Sequence, residues 1–390
     1  MAFSNKQTAL LLMGALLTMP ACGGNGAVPG GAYNAPGSAL RLLATAPGAV
    51  LPEDTTSILK KLKKDVVIGS TVDPKNGDKG PRGISVVRSS YSKLKKGQIL
   101  VCNFEDKAGD AGKGTTVEVL NPTPGSKPVT FVENTKSEGC SGDSVSPSNN
   151  EVYTSGATSK LVAQYSPGGK LTKTWGKPMQ MPISLVDGAC VGGASQCGYS
   201  AEYIYASDAQ TGGIVSFSVN FYGQKKPTEV VSGFAVNKKS GWSTLGPSGL
   251  AFMSPKEGTL FIADGPDNTV VSINAVTSLL IASEIVVKKG GKTFTCKYPS
   301  TSCAKLIKAG APLDAPVAMT LLPNGNLVVA NAHGNSLVEM TTSGKVLATK
   351  VLDKSKNAAV FGVYAIGSND SNTAIYYTDI NDDSLHKLEQ

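Results

Sequence analysis

One short pattern recurs along this chain: an apolar strand of about four residues, a polar turn, then a second strand. It reads LFIADGPDNTVVSI at residues 260 to 273. That stretch lies within TLFIADGPDNTVVSINAV from Thr259, and the pattern returns as EVYTSGATSKLVAQYSPGGKL from Glu151, YIYASDAQTGGIVSFSVN from Tyr203, NLVVANAHGNSLVEMTTSGKV from Asn326 and AIYYTDINDDSLHKLE from Ala374. A looser copy, QILVCNFED and then TTVEVLNPTPGSKPV with KAGDAGKG inserted, brings the count to six. Most copies follow another short apolar strand closed by a turn: RGISVV, ISLV, SGLAFMSPKEG, VAMTLLPNG or GVYAIGSND. Several are followed by a further strand such as KVLATKVLD. Four strands per unit, at a spacing of roughly 50 residues, is the pattern of a propeller blade. One ordinary compact core would not absorb 390 residues, but a ring of blades does. The 44 Gly, 22 Pro and 17% charged residues agree with many short strands and tight turns.

The segments GPSGLAFMSPKEGTLFIADGPDNTVVSI and APVAMTLLPNGNLVVANAHGNSLVEM resemble blades of the NHL-repeat, gluconolactonase-like and streptogramin-lyase-like six-bladed β-propellers. The resemblance covers about residues 65 to 390 and is most specific at residues 246 to 345. It implies an all-β fold of four-stranded antiparallel blades. The last copy ends after its third strand, at SLHKLEQ, so its fourth strand is expected from DVVIGSTV at residues 65 to 72. That pairing would close the ring and hide two open sheet edges.

Residues 1 to 22 read as a signal peptide: Lys6, the apolar run ALLLMGALLTMP, then Ala21-Cys22. The run is too short to span a bilayer. Its end resembles a bacterial lipobox, with Met19 where Leu is commoner, and implies lipidation of Cys22; an ordinary signal peptide leaving Cys22 as a spare thiol is the alternative. Gly23 lacks the Asp that favours inner-membrane retention, which points to an outer-membrane or surface lipoprotein, with a periplasmic or secreted protein as the alternative. Residues 23 to 60, rich in Gly, Ala and Pro, read as a flexible linker before the propeller at 65 to 390. Setting Cys22 aside leaves an even set, Cys102, Cys140, Cys190, Cys197, Cys296 and Cys303, suited to an oxidising compartment. CVGGASQC and CKYPSTSC make local bridges sterically easy, which leaves Cys102 with Cys140 by elimination. The formal charge of +8 comes from scattered lysines, clustered only at Lys60, Lys61, Lys63 and Lys64, and no nucleic-acid motif accompanies it.

In folds of this kind the residues just before each first strand, and the turns between second and third strands, collect on a channel face. The ligand-binding candidates are therefore Arg82, Ser141, Ser248 and Pro316 ahead of first strands, with Asp208, Asp264, Asn331, His333 and Asp379 in or beside the turns. Gluconolactonase-like enzymes place Glu, Asn and Asp around a divalent cation at first-strand positions, but Ser248 and Pro316 stand where Asn and Asp would be expected. So carboxylate-poor a ring makes a poor cation cage. His333, in NAHGNS, is the candidate general base of a lyase, and its ordinary reading is a solvated hairpin histidine. His386 falls within a strand and reads as structural. DINDDS at 379 to 384 has calcium-like spacing but lacks the loop Gly and the terminal Glu. AGDAGKGTT has the wrong spacing for a phosphate loop, and neither GCSG nor GPSG is a nucleophile elbow.

Two functions from different classes follow. The first is an exported, lipid-anchored binding or scaffold module of the bacterial cell envelope, whose partner is an envelope protein, peptide, glycan or small molecule. It needs no cofactor, touches the membrane only through its anchor, binds no nucleic acid and is a monomer. The second is a propeller enzyme, lactonase or lyase, with a divalent cation such as calcium at the channel mouth.

Overall fold

The computed structural model describes residues 53–188, 202–219, 226–238, 245–253, 258–355 and 357–390. Residues 1 to 22, read above as a signal peptide ending at Cys22, and the pair Cys190 and Cys197, lie outside them. The described chain is almost all strand, arranged as six sheets. Blade one holds β2 (Lys79–Val86), β3 (Ile99–Glu105), β4 (Thr116–Leu120) and β5 (Val129–Glu133). Blade two holds β6 (Cys140–Val145), β7 (Val152–Gly156), β8 (Leu161–Tyr165) and β9 (Leu171–Trp175). The third has β10 (Pro182–Asp187), β11 (Glu202–Asp208), β12 (Gly213–Val219) and β13 (Thr228–Ser232). The fourth has β14 (Pro247–Met253), β15 (Thr259–Asp264), β16 (Thr269–Asn274) and β19 (Ala304–Ala309). The fifth is β20 (Pro316–Leu321), β21 (Leu327–Asn331), β22 (Ser336–Met340) and β23 (Val346–Val351). The sixth is β24 (Val360–Ile366), β25 (Ala374–Asp379), β26 (Ser384–Glu389) and the N-terminal β1 (Lys64–Ser70).

The expected closure is present. β1 pairs antiparallel with β26, from Lys64 opposite Glu389 to Ser70 opposite Ser384. First strands touch in the cyclic order β2, β6, β10, β14, β20, β24 and back to β2. Each seam between neighbouring blades is filled by its own apolar cluster. Trp175 of blade two packs at a tilt against Phe217 of blade three, ring centres 4.7 Å apart, and Ile68 and Tyr376 of blade six pack with Ile84 and Val101 of blade one. Such burial is why strands with both faces covered read as near-continuous apolar runs.

Two features depart from the expectations. Residues 53 to 60, assigned above to the linker, include part of a folded hook: Ile58, Leu59 and Leu62 are buried in the seam between blades five and six. The buried Glu339 carboxylate holds the hook, accepting the Ile58 and Leu59 backbone N–H groups at 3.1 and 2.8 Å and the Ser57 hydroxyl at 2.6 Å. A Gly/Ala/Pro composition gave way here to TTSILKKL, which has enough apolar surface to order itself. The second departure is a hairpin between the last two strands of blade four, β17 (Ile285–Lys288) and β18 (Thr293–Cys296). It joins the outer edge of blade three, β17 running parallel to β13, and makes that sheet six-stranded. Cys296–Cys303 ties the hairpin to β19, and Cys102–Cys140 links β3 of blade one to the start of β6 in blade two. Both bridges match the expected pairing and suit an oxidising compartment. No helix among the described residues is long and apolar enough to cross a membrane.

Candidate functional site

Every first strand begins with the same device. A bulge follows within its first three residues, at Pro81/Ile84, Cys140/Gly142, Pro182/Ser184, Pro247/Leu250, Pro316/Ala318 and Val360/Gly362. Four of these strands carry Pro at the bulge, on the sheet edge facing the channel, where a missing N–H breaks no ladder. Beyond it comes a small residue: Gly83, Gly142, Ser184, Gly249, Ala318 or Gly362. These positions let neighbouring backbones meet. A Cβ on Gly142 would lie 2.7 Å from the Ile183 carbonyl, and one on Gly362 would lie 2.3 Å from the Arg82 carbonyl. The bulge turns the residue in between toward the axis, so Arg82, Ser141, Ile183, Ser248, Val317 and Phe361 form a ring, none more than 9% exposed.

This ring is the neck of a central channel of about 210 Å³ that follows the first strands to their far ends. There the lining loosens: Arg88, Asp187, Phe252, Met253, Leu321 and Tyr364 are all half-buried. The channel is thus narrow where the first strands start and wide where they end. At the neck, Phe104 packs with Ala157, Ile183 and Ala209 on one side, while Phe361 packs with Ala315, Val317 and Ala332 on the other. The Arg82 guanidinium lies between the two halves, 4.0 Å from the Phe104 ring centre and 4.3 Å from that of Phe361. Burial lowers its pKa to about 10, which still leaves it charged at neutral pH.

Deeper in the channel, Asp143 on β6 reaches across to β2, where its Oδ2 accepts the Ser85 hydroxyl, and its Oδ1 has no partner among the described residues. Burial pushes this carboxyl up to about 7. At the wide end Arg88 donates to the Tyr364 hydroxyl at 3.3 Å, and Asp187 lies within its field.

The structure divides the sequence-derived candidates. Arg82, Ser141 and Ser248 stand together at the neck; Pro316 sits one residue before the ring, which Val317 occupies. Ser141 Oγ donates to the Pro182 carbonyl at 3.1 Å and Ser248 Oγ reaches the Pro316 carbonyl at 3.5 Å, so both hydroxyls stitch one blade to the next. The turn residues stay within their blades and do not line the channel. Asp208 is buried and accepts the Met181, Gln210 and Thr211 backbone N–H groups; Asn331 binds the Asp314 N–H, the Pro312 carbonyl and Ser336. Asp379 accepts the Asn381 N–H at 2.8 Å. Asp264 is buried beside Asp267, and burial first, then that neighbour, pushes its carboxyl up to about 8. His333 lies 61% exposed on its turn, 3.0 Å from Asp314.

A lactonase-type cation does not fit the neck. Of six ring positions one is a guanidinium, two are serines committed to carbonyls and three are apolar. Asp379, Asp382 and His386 do bring one ligand atom each within 4.8 Å of one another, away from the channel. Both His386 nitrogens are already engaged, by Asp65 at 3.3 Å and Asp382 at 3.2 Å, and its ring stacks on Tyr377. These contacts span β1, β25 and β26 and belong to ring closure.

No protein family matches the chain by sequence, and no curated protein matches it. Solved structures do. A gluconolactonase from Xanthomonas campestris superposes with a TM-score of 0.50 at 9% identity, over 80% of this chain and 86% of that one. Virginiamycin B lyase from Staphylococcus aureus, in a catalytically inactive form with quinupristin, gives 0.48 at 15% identity over 84% and 85%. The fold is that of the six-bladed β-propellers. Identities this low describe architecture and carry no activity across.

Sequence reasoning missed Ile183, Val317 and Phe361 in the ring, and Ser85 with Asp143 below it. The ring had a readable signal, the repeated start PRG, CSG, PIS, PSG, PVA and VFG. The Ser85–Asp143 pair had none.

Proposed function

We propose that this chain is an exported, lipid-anchored β-propeller that serves as a binding module of the bacterial cell envelope, with its ligand seated in the central channel and entering at the wide end. One observation carries the reading: the channel combines apolar walls with two buried polar groups, the Arg82 Nε and the Asp143 Oδ1, that have no partner among the described residues. That is the make-up of a ligand pocket. Hydrolysis or elimination would need a nucleophile, a base and an oxyanion or metal partner converging on one point. Here Asp208 and Asp379 bind backbone of their own blades, Asp264 is buried away from the channel, and neither histidine lines the channel. The leader and Cys22 support the export and anchoring part of the reading.

The test has two arms. Membrane fractionation should find the wild-type chain with envelope membranes and Cys22→Ser released. Thermal unfolding against cell-wall peptides, oligosaccharides, gluconolactone and a cyclic depsipeptide lactone should show at least one saturable rise in melting temperature without turnover. Turnover of either lactone would overturn the binding reading in favour of an enzyme.

A further inference from the structure

Arg82 presents an unusual state for a buried charge. Its side chain is 7% exposed, its Nε has no partner, and no carboxylate of the described residues lies within salt-bridge distance of it. Buried cations are ordinarily paired, because desolvation is costly unless charge and hydrogen bonds are both returned. Glu105 is the carboxylate whose field Arg82 feels most, and it stands off at the blade edge beside Gly80. Phe104 and Phe361 offset part of the cost, since an aromatic ring near a guanidinium contributes roughly 0.5–2 kcal/mol. Rings attract the charge but accept few of its hydrogen bonds. The N–H donors of a guanidinium lie in its plane, in a fork that matches a carboxylate or phosphate. The neighbouring hydroxyls spend their protons on the Pro182 and Pro316 carbonyls and compete little for such a partner.

We propose that the neck of the channel is an oxyanion subsite in which Arg82 forks a carboxylate or phosphate group at the leading end of the ligand. The inference rests on the channel being the ligand site. Its approach is less repulsive than a free carboxylate would make it: burial raises Asp143, on the way in, to about 7, so about half of it is protonated at pH 7, and that form can donate to an anion. The neck admits a slender group only, with room for about seven waters along the whole 210 Å³ of channel at ~30 Å³ each. A small head on a narrow body fits, whereas a branched polyanion does not.

The experiment follows melting temperature of the purified protein at constant ionic strength, with chloride replaced stepwise by acetate, hexanoate or inorganic phosphate. A saturable rise is expected for at least one oxyanion. A steeper response to hexanoate than to acetate identifies a carboxylate with an apolar body, and a response to phosphate alone identifies the inorganic ion. Arg82→Met should weaken the response at least tenfold, the worth of one charge-assisted hydrogen bond, and Arg82→Lys should retain part of it. Should Arg82→Met not fold, the Nε–H resonance of Arg82 in the wild-type protein supplies the readout, and it should shift on saturation. No saturable response from any oxyanion, an unmoved resonance, or an unchanged response in Arg82→Met would each overturn the assignment. Ser144, half-buried next to Asp143 on β6, lines the channel between the neck and the wide end, and Ser144→Phe, which narrows the lumen there, separates the two readings. If oxyanions fail while another ligand's effect is still lost in Ser144→Phe, only the Arg82 assignment falls; if nothing binds in either protein, both fall.

Discussion

Asp143 shows how a single position in the channel wall becomes a pH-dependent element. Burial holds its carboxyl near pH 7, against about 3.9 in an unfolded chain. Between these values the folded protein keeps a proton that the unfolded chain has released, so this group's contribution is fullest below pH ~4 and is lost as pH rises toward ~7. Glu118 and Asp264, pushed up to about 9 and about 8 chiefly by burial, act with the same sign and extend the decline. Asp143→Asn keeps an oxygen for the Ser85 hydroxyl and has no charge to lose. Its melting temperature should therefore vary less than the wild type's between pH 4 and 8 and should exceed it at pH 8, by on the order of a few kcal/mol in stability. A wild-type curve running parallel to that of Asp143→Asn would refute the assignment. Little of this was readable in the sequence. Arg82, Ser141 and Ser248 were accessible because the start of a first strand, where they stand, is marked by small residues and Pro. Ile183, Val317 and Phe361 share that register but not the polarity that drew attention to the others. Ser85 and Asp143 lie 58 residues apart on separate blades, and only the ring brings them together.

Among the elements, the strands of the blades were legible because short, near-continuous apolar runs bounded by Asp/Asn/Gly turns mark them strongly and recur. The closing strand was legible because the last copy lacked one. The hook at residues 53 to 62 was hidden by its Pro/Gly-rich surroundings and by a partner, Glu339, some 280 residues away. The β17–β18 hairpin was hidden because its pairing is with a different blade, although Gly290 and Gly291 between EIVV and TFTC are a hairpin signal. Hook and closing strand make separable contributions. Glu339→Ala leaves two backbone N–H groups without their acceptor and loosens three buried apolar side chains; it should cost about 2–4 kcal/mol without unfolding the ring. Truncation through Ser70 also removes β1 and its whole ladder to β26, opening blade six to solvent. Denaturant titration should show a lowered midpoint for the first variant and loss of the cooperative transition for the second. Equal stability of wild type and the truncated chain would refute closure by β1.

At the scale of the molecule, six seams and a ring of small residues fix the first strands close enough to make a narrow neck, and the bulge repeated in each blade decides which side chains reach it. A fold of this kind was evident from repetition alone. The direction in which the channel widens was not, because it depends on which ends of the strands the aromatic side chains of the neck obstruct, and Phe104 and Phe361 come from different blades. The central claim is that ligand occupies this channel from its wide end. It is tested most directly by comparing wild type with Ser144→Phe, whose ring would fill the lumen beside Asp143 without touching the neck, by calorimetric titration with whichever ligand raises the wild-type melting temperature. The account predicts at least a tenfold loss of affinity with the variant's own melting temperature little changed. Undiminished affinity in a folded Ser144→Phe would place the binding site elsewhere on the propeller and contradict the account.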